Sequence, residues 1–337
     1  MAPWIRRVAG WLLRAVGLAL ALSGAALMVL HHHPELQLRS AAAAKAASFI
    51  PYGVVAWLLV AVILVTSHRR WVKALAVLAV GGAVLQFVWS GGPYWPRPAP
   101  AVTGSLTVMT LSTYYGMADP AQLVAEAERA QPDVVVLTEI DVDLWRALQA
   151  SSWARDLPFH VGEPGPDWTS NATMVFSRYP VSLLEALGST PQQHVVTVDL
   201  PAGPLTVIAV HARNPSDGYD QWASSLLAVQ RAAEARAGRP VVALGDFNAV
   251  REHVPLQQLL DSGLADAAEQ AGTGWLPTFP TRPYAWWPGF PSGLAMPPLI
   301  GLDHVLINDH LLAASVESFG VTDTDHRGLV ARLDLVR

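Results

Sequence analysis

Gly245-Asp246-Phe247-Asn248 follows an apolar run at 241–244 that reads as a short buried strand. Asp246 and Asn248 are two residues apart, so an extended chain would aim both side chains the same way. A carboxylate and a carboxamide at a strand end can orient and activate a water or hold a phosphoryl oxygen. The same tetrapeptide would also serve as a strand-to-helix turn. Four further apolar runs carry polar residues at their edges: Glu139 after 134–138, His211 after 207–210, Asp303-His304 before 305–307, and Asp325-His326 before 328–330. Singly, each has a structural explanation as a cap, a core histidine or a turn. Together they place five costly polar groups at strand ends, which points to one shared site.

The elements that must position these groups follow from pattern. Alternation or short apolar runs predict strands at 106–111, 133–137, 172–176, 181–186, 194–200, 205–210, 241–244, 303–307, 313–319 and 329–335. Asp119-Pro120 is a helix start, with a capping carboxylate and proline at the first helical position. Residues 142–150, 219–237 and 255–262 read as helices, the second with Trp222, Leu226, Val229 and Ala233 on one face. Many strands, fewer helices and hairpin-like spacing argue for a mixed two-sheet α/β domain and against a doubly wound parallel sheet.

The order Glu139, His211, Gly245-Asp246-Phe247-Asn248, Asp303-His304, Asp325-His326 resembles the endonuclease/exonuclease/phosphatase superfamily of metal-dependent phosphoesterases. Residues 132–139 look like its metal-ligand strand, Phe176-Ser177-Arg178-Tyr179-Pro180 like its central strand-turn, and Thr324-Asp325-His326-Arg327 like its C-terminal signature. The resemblance covers about residues 105–335. It implies an α/β four-layer sandwich, two mixed β-sheets flanked by helices, with the site where loops meet at one end. It further implies that Glu139, with Asp325 as a second carboxylate, binds Mg²⁺ or Mn²⁺, hard ions that prefer oxygen ligands. On the same basis Asp246, positioned by Asn248, orients or deprotonates the attacking water. His211, and His326 held by Asp303, would contact the phosphoryl oxygens. Asn171, just ahead of the central strand, is a weaker candidate for phosphate contact. One departure stands out: Ser112 occupies the place of the asparagine that usually ends the family's first strand, with Thr113 as an alternative donor. A serine offers less than a carboxamide, and a catalytically weakened envelope binding module is therefore an alternative to an active hydrolase.

Composition divides the chain. Residues 1–90 hold eight of the 22 basic residues and one acidic residue, Glu35; the remainder holds 14 basic, none of them lysine, and 26 acidic, a formal net charge of −12. There is no cysteine, which excludes disulfides, thiolate metal sites and cysteine nucleophiles. Residues 8–30, 49–66 and 74–90 are apolar enough to predict three transmembrane helices, with Trp89, Tyr94 and Trp95 suited to an interfacial belt. His31-His32-His33 reads as a solvated or headgroup-level loop. Arg6, Arg7, Arg14, Arg69, Arg70 and Lys73 bias the orientation, with the N-terminus cytoplasmic and residues 105–337 outside the cytoplasm. Residues 91–104, rich in proline and glycine, read as the linker. The three preceding spans resemble the membrane-anchored bacterial members of the superfamily.

These features lead to a multi-pass cell-membrane phosphoesterase acting on an envelope or lipid-linked phosphoester. An extracellular nuclease is the alternative, disfavoured by the acidic domain, since nucleic-acid readers carry a basic footprint. Arg213-Asn214 after His211 could bind a second phosphate or a polar head group; solvated loop residues are the competing reading. The aromatic stretch with Tyr284, Trp286, Trp287, Phe290, Leu294 and Met296 is expected to form a lid or interfacial loop, or else a surface loop packed on itself.

Overall fold

The computed structural model describes residues 3–91, 102–166, 170–282 and 295–336, and the chain divides into two compact units. In the N-terminal unit, Ala- and Leu-rich sequence forms α1 (Pro3–His32), α2 (Ala41–Ala47), α3 (Gly53–Val65) and α4 (Arg70–Ser90). Among the described residues, two stretches, Arg7–His32 and Arg70–Ser90, are long and apolar enough to cross a membrane. The middle segment expected at 49–66 is helical from Ile50 to Val65, and this helix meets α2 at 53° across a short break before Ile50. Pro51 sits in a 3₁₀ turn, Ile50–Tyr52, because proline cannot donate to an α-helical ladder. The 13 residues of α3 span roughly 20 Å, short of a hydrocarbon core of about 30 Å. Gln86 of α4 is buried and donates to Ile50 O at 2.6 Å, beside the Gly53 N–H that the same carbonyl accepts. His31 and His32 are not in a loop. They form the last turn of α1, and His31 stacks on Trp89 with ring centroids 4.3 Å apart.

The second unit begins with β1 (Val102–Ser112), which starts inside the stretch read as linker and pairs with the C-terminal strand from Val102↔Val336. Then follow α5 (Pro120–Ala130), β2 (Val134–Thr138), α6 (Val142–Gln149), α7 (Trp153–Asp156), β3 (Phe159–Val161), β4 (Thr173–Ser177), β5 (Val181–Ala186), β6 (His194–Leu200) and β7 (Gly203–His211). The chain continues through α8 (Tyr219–Glu234), β8 (Val241–Asp246), α9 (Val254–Asp261), β9 (Ala265–Asp266), α10 (Ala267–Gln270), β10 (Asp303–Ile307), β11 (Leu311–Phe319) and β12 (Gly328–Val336). Asp119 caps α5 through Gln122 N at 2.9 Å, and the helix stops at Gln131, whose φ of 49° is left-handed.

Two six-stranded sheets result, ordered β11-β12-β1-β2-β4-β3 and β5-β6-β7-β8-β10-β9. Period-2 alternation divides each strand between two layers. Leu106, Val108, Val134, Val136 and Val175 of the first sheet pack with Val196, Val207, Val242, Leu244, Val305 and Ile307 of the second. Met109, Leu111, Val135, Leu137 and Phe176 turn outward onto Leu123, Leu144, Leu148 and Trp153 of α5, α6 and α7. Trp222, Leu226 and Val229 of α8 are likewise buried. Each fully buried Val, Leu or Ile contributes about 1.5–3 kcal/mol, so the alternating pattern fixes which face each strand presents. The unit is a four-layer α/β sandwich of two mixed β-sheets flanked by helices.

Candidate functional site

Both sheets carry one parallel pair at their centre, β1–β2 and β7–β8. Parallel strands end together, which collects their terminal polar residues at one edge. Register aligns His211 with Asp246 across β7–β8, and Asp246 with Asp303 across β8–β10. Three polar side chains thus stand on adjacent strands and continue the inward alternation of Ala209, Leu244 and Val305. From the first sheet, Glu139 follows β2 and Asp325-His326 precede β12.

The tetrapeptide turn depends on glycine. Gly245 has φ 140°, and a Cβ there would collide with the Val210 carbonyl. Asp246 is buried; its Oδ1 accepts from Asn248 N at 2.8 Å and its Oδ2 from Asn248 Nδ2 at 3.2 Å. Asn248 itself has φ 46° and donates to Ala212 O at 2.9 Å. Phe247 points away from the site, its ring edge-on to His304 with centroids 5.6 Å apart.

His326 Nδ1 lies 2.8 Å from Asp303 Oδ2, both groups buried. Burial alone would depress the His326 pKa, but the Asp303 charge and hydrogen bond, aided by Asp246 and Asp325, hold it well above the ordinary value. Burial and the neighbouring His326 charge push His211 down to about 3, so that imidazole is neutral. Burial, reinforced by Asp325, raises Glu139 to about 7, against a 3.0 Å bond from Tyr115 N. Burial raises Asp246 to about 8, with His326 opposing. Asp325 is also raised, by burial first.

Four carboxylates share this pocket, and Asp303 Oδ1 and His211 Nδ1 are buried with no hydrogen-bond partner among the described residues. Such crowding is what a divalent cation compensates. Among the described residues, Asp246, Asp303 and His326 offer ligand atoms within 4.8 Å of one another. Asp303 favours the protonated form of His326, which weakens the imidazole as a ligand there. Glu139 and Asp325, all-oxygen and facing the cleft, fit a hard ion better.

The cleft has a volume of about 340 Å³, and Glu139, His211, Asp246, Asn248, Asp325 and His326 line it. Asn171, Arg213 and Asn214 line it too. Arg213 Nε donates to Thr190 O at 3.2 Å, and Asn214 Oδ1 caps the Pro215–Asp217 turn through Ser216 N at 2.8 Å, so each is partly committed to its own loop. Ser112 differs from expectation as a substrate contact. It is 1% exposed and lies beneath the cleft, its carbonyl accepting from Thr324 Oγ1 at 2.7 Å and its hydroxyl unpartnered among the described residues. The side chain is too short to reach the opening. His304 also turns away from the cleft, bonding Asp266 Oδ2 at 2.8 Å and Ala249 O at 2.9 Å.

Among the cleft-lining residues that escape pattern reading are two tyrosines. Tyr114 and Tyr115 line the cleft from a turn in which both have left-handed φ, 51° and 57°. Arg282 places its guanidinium 5.0 Å from the Tyr114 ring centroid. The tyrosines follow β1 directly, and their position after a predicted strand end was the available signal. Of the expected aromatic loop, Tyr284, Trp286, Trp287, Phe290 and Leu294 lie outside the described residues, as do Tyr94 and Trp95.

Solved structures share this architecture. TDP2 from D. rerio, complexed with a single-strand DNA product, is 16% identical, covers 69% of this chain and 100% of its own, with a TM-score of 0.54. Truncated TDP2 from Caenorhabditis elegans is 14% identical over 68% of this chain and 97% of its own, TM-score 0.51. An endonuclease/exonuclease/phosphatase family protein from Bacteroides thetaiotaomicron is 14% identical over 69% and 99%, TM-score 0.50. At these identities the likeness speaks for the fold alone. A search of curated proteins gives no match. Residues 114–326, more than half of the chain, match the model of the Endonuclease/Exonuclease/phosphatase family. The chain belongs to this family, whose members are metal-dependent hydrolases of phosphoester bonds.

Proposed function

We propose that the chain is a membrane-anchored phosphoesterase whose cleft hydrolyses an extracytoplasmic, lipid-linked or envelope phosphoester. The observation that carries the reading is the convergence of Glu139, His211, Asp246, Asp325 and His326 on one cleft, with Asp303 bonded behind His326. Mg²⁺ or Mn²⁺, held by Glu139 and Asp325, would supply Lewis-acid charge at the phosphoryl oxygens. The chain's own residues do the rest. Asp246, fixed at both oxygens by Asn248, receives the proton of the attacking water. His326 and neutral His211 donate to the phosphoryl oxygens as charge accumulates on them; the water oxygen bonds to phosphorus as the ester P–O bond breaks, and the leaving alkoxide takes its proton from solvent. Asp303 holds His326 charged and oriented. Asn171, Arg213 and Asn214 serve as outer substrate contacts.

Membrane anchoring is supported by two spanning-length apolar helices, with the broken middle segment as a third crossing. The Lys/Arg bias of the flanking segments favours an outside catalytic domain. Organisation then follows as helices at 1–90, a linker at 91–104 and a catalytic domain at 105–337, its first strand starting a few residues early. The D. rerio structure holds a DNA product, which keeps a nuclease as the second reading; the net charge of −12 weighs against it.

A phosphoester panel with the full chain in detergent micelles tests the proposal, using bis-nitrophenyl phosphate, a phosphomonoester, lipid head-group diesters and DNA. Turnover is expected to require Mg²⁺ or Mn²⁺, to stop with chelator, and to fall about 10²–10⁴-fold in Asp246→Ala. Metal-independent turnover, or full activity in that variant, overturns the mechanism. Preference for DNA over head-group diesters would favour the nuclease.

A further inference from the structure

We propose, resting on the phosphoesterase reading, that Arg282 is a specificity-determining residue: its guanidinium receives a second phosphate that the substrate carries beside the phosphoryl group under attack. The side chain is held by two contacts. Its Nη1 donates to Asp323 O at 3.1 Å, and the guanidinium lies 5.0 Å from the centroid of the Tyr114 ring, a cation–π contact. The backbone leading into Arg282 is fixed as well. Thr281 N donates to Asp325 O, Thr281 Oγ1 to Thr324 O, and Met296 N to Thr281 O, each at 2.8 Å. An arginine tethered in this way loses less freedom on meeting an anion than a solvated one does.

Neither contact is with a carboxylate. Arg129, Arg236 and Arg251 are each bonded to a glutamate, whereas Arg282 forms no ion pair among the described residues. Its charge nevertheless acts on Tyr114 and on Asp325, and both of these line the cleft, which puts the half-buried guanidinium at the edge of that cleft. The surroundings are acidic: Glu139, Asp246 and Asp325 line the cleft, and the chain beyond residue 90 has a net charge of −12 with no lysine. A divalent ion offsets this charge where the scissile phosphoryl group sits. A further anion on the substrate needs a cation of its own. The Asp323 carbonyl occupies Nη1 alone, so the rest of the planar fork is available to a phosphate, whose tetrahedral oxygens present a pair to it at any rotation about the ester bond. A simple monoester or diester leaves Arg282 without a counter-charge; a substrate bearing a second phosphate supplies one.

Calorimetric titration of the full chain with propyl phosphate and with 1,3-propanediol bisphosphate tests the assignment, in detergent micelles at a fixed excess of Mg²⁺. An Asp246→Ala background lets affinity be read without turnover. The bisphosphate is expected to bind about tenfold tighter or more, the gain of a charge-assisted hydrogen bond. In Arg282→Gln that ratio should fall to about threefold or less. Arg282→Lys, which keeps the charge but loses the fork, should retain part of the preference. Equal affinity for the two ligands in the Asp246→Ala parent overturns the proposal. So does an unchanged ratio in Arg282→Gln, which would mean that the guanidinium only screens Asp325 and braces Tyr114. Failure of the underlying reading shows separately, as absent metal-dependent turnover of bis-nitrophenyl phosphate in the unaltered protein.

Discussion

Replacing Asp303 by asparagine removes one charge and little else. The carboxamide is isosteric, and its oxygen can still accept the His326 Nδ1 proton that Asp303 Oδ2 accepts at 2.8 Å. Its NH₂ then takes the place of Asp303 Oδ1, an atom with no partner among the described residues, so no existing bond is broken there. The consequence lies in the imidazole. His211, buried in the same cleft with its nearest carboxylate, Glu139, 3.8 Å from its Nε2, is held down to about 3 by desolvation and by the His326 charge. His326 suffers the same burial and is raised only because Asp303, Asp246 and Asp325 overcome it. Without the Asp303 charge, the largest of these, the His326 pKa should fall, and with it the imidazole's value as a charged donor. A positioned acid or charged donor contributes about 10²–10⁴ in rate, which is about 3–5 kcal/mol at 1.36 kcal/mol per tenfold. We expect kcat on a soluble diester to fall by that factor in Asp303→Asn, with part of the loss recovered at lower pH as His326 reprotonates. His326→Asn should lose as much, and the double variant little more than either single one, because the pair acts as a unit. Activity within threefold of the parent across pH 6–9, or additive losses in the double variant, would refute the reasoning.

Gly245→Ala should destabilise the catalytic unit by about 1–3 kcal/mol or more, since φ 140° and the Val210 carbonyl exclude a Cβ; an unchanged melting temperature would be inconsistent with this geometry. The buried His304–Asp266 pair predicts a pH window of stability. Burial opposes protonation of His304, but Asp266 raises its pKa above the ordinary 6.5, so its contribution is complete below that value and is lost as pH climbs through the folded pKa. Asp266, where burial is outweighed by the His304 bond and charge, is lowered below 3.8; its contribution is present above that value and is lost as pH falls through the folded pKa. Melting temperature against pH should show both limbs, and His304→Phe should flatten the alkaline one. An unaltered alkaline limb in that variant would remove the pair from the explanation.

Local pattern carried much of this protein. Alternating apolar residues mark the strands because burial rewards one face at a time, and among the described residues only the short edge pieces Phe159–Val161 and Ala265–Asp266 are unmarked. They are too brief, and too little buried, to leave a periodic trace. The polar strand ends were equally visible, since Glu139, His211, Asp246, Asp303 and His326 are types that a core rejects. Their order along the chain carried the family likeness.

Pairing between distant segments was decided only in three dimensions. Whether Asp303 or its neighbour His304 faces the cleft depends on register against β8, where Asp303 stands opposite Asp246; a shift of one residue would exchange them. Ser112 sits at the right strand end and is nevertheless buried, its carbonyl held by the hydroxyl of Thr324, 212 residues away. The left-handed turn at Tyr114 and Tyr115 is stabilised by Glu139 and Thr138, also from another strand. Residue types and periodicity are local properties, written in the sequence. Register, the sign of φ and the side chains that meet depend on contacts between residues far apart in the chain, and these exist only once the two sheets have closed on each other.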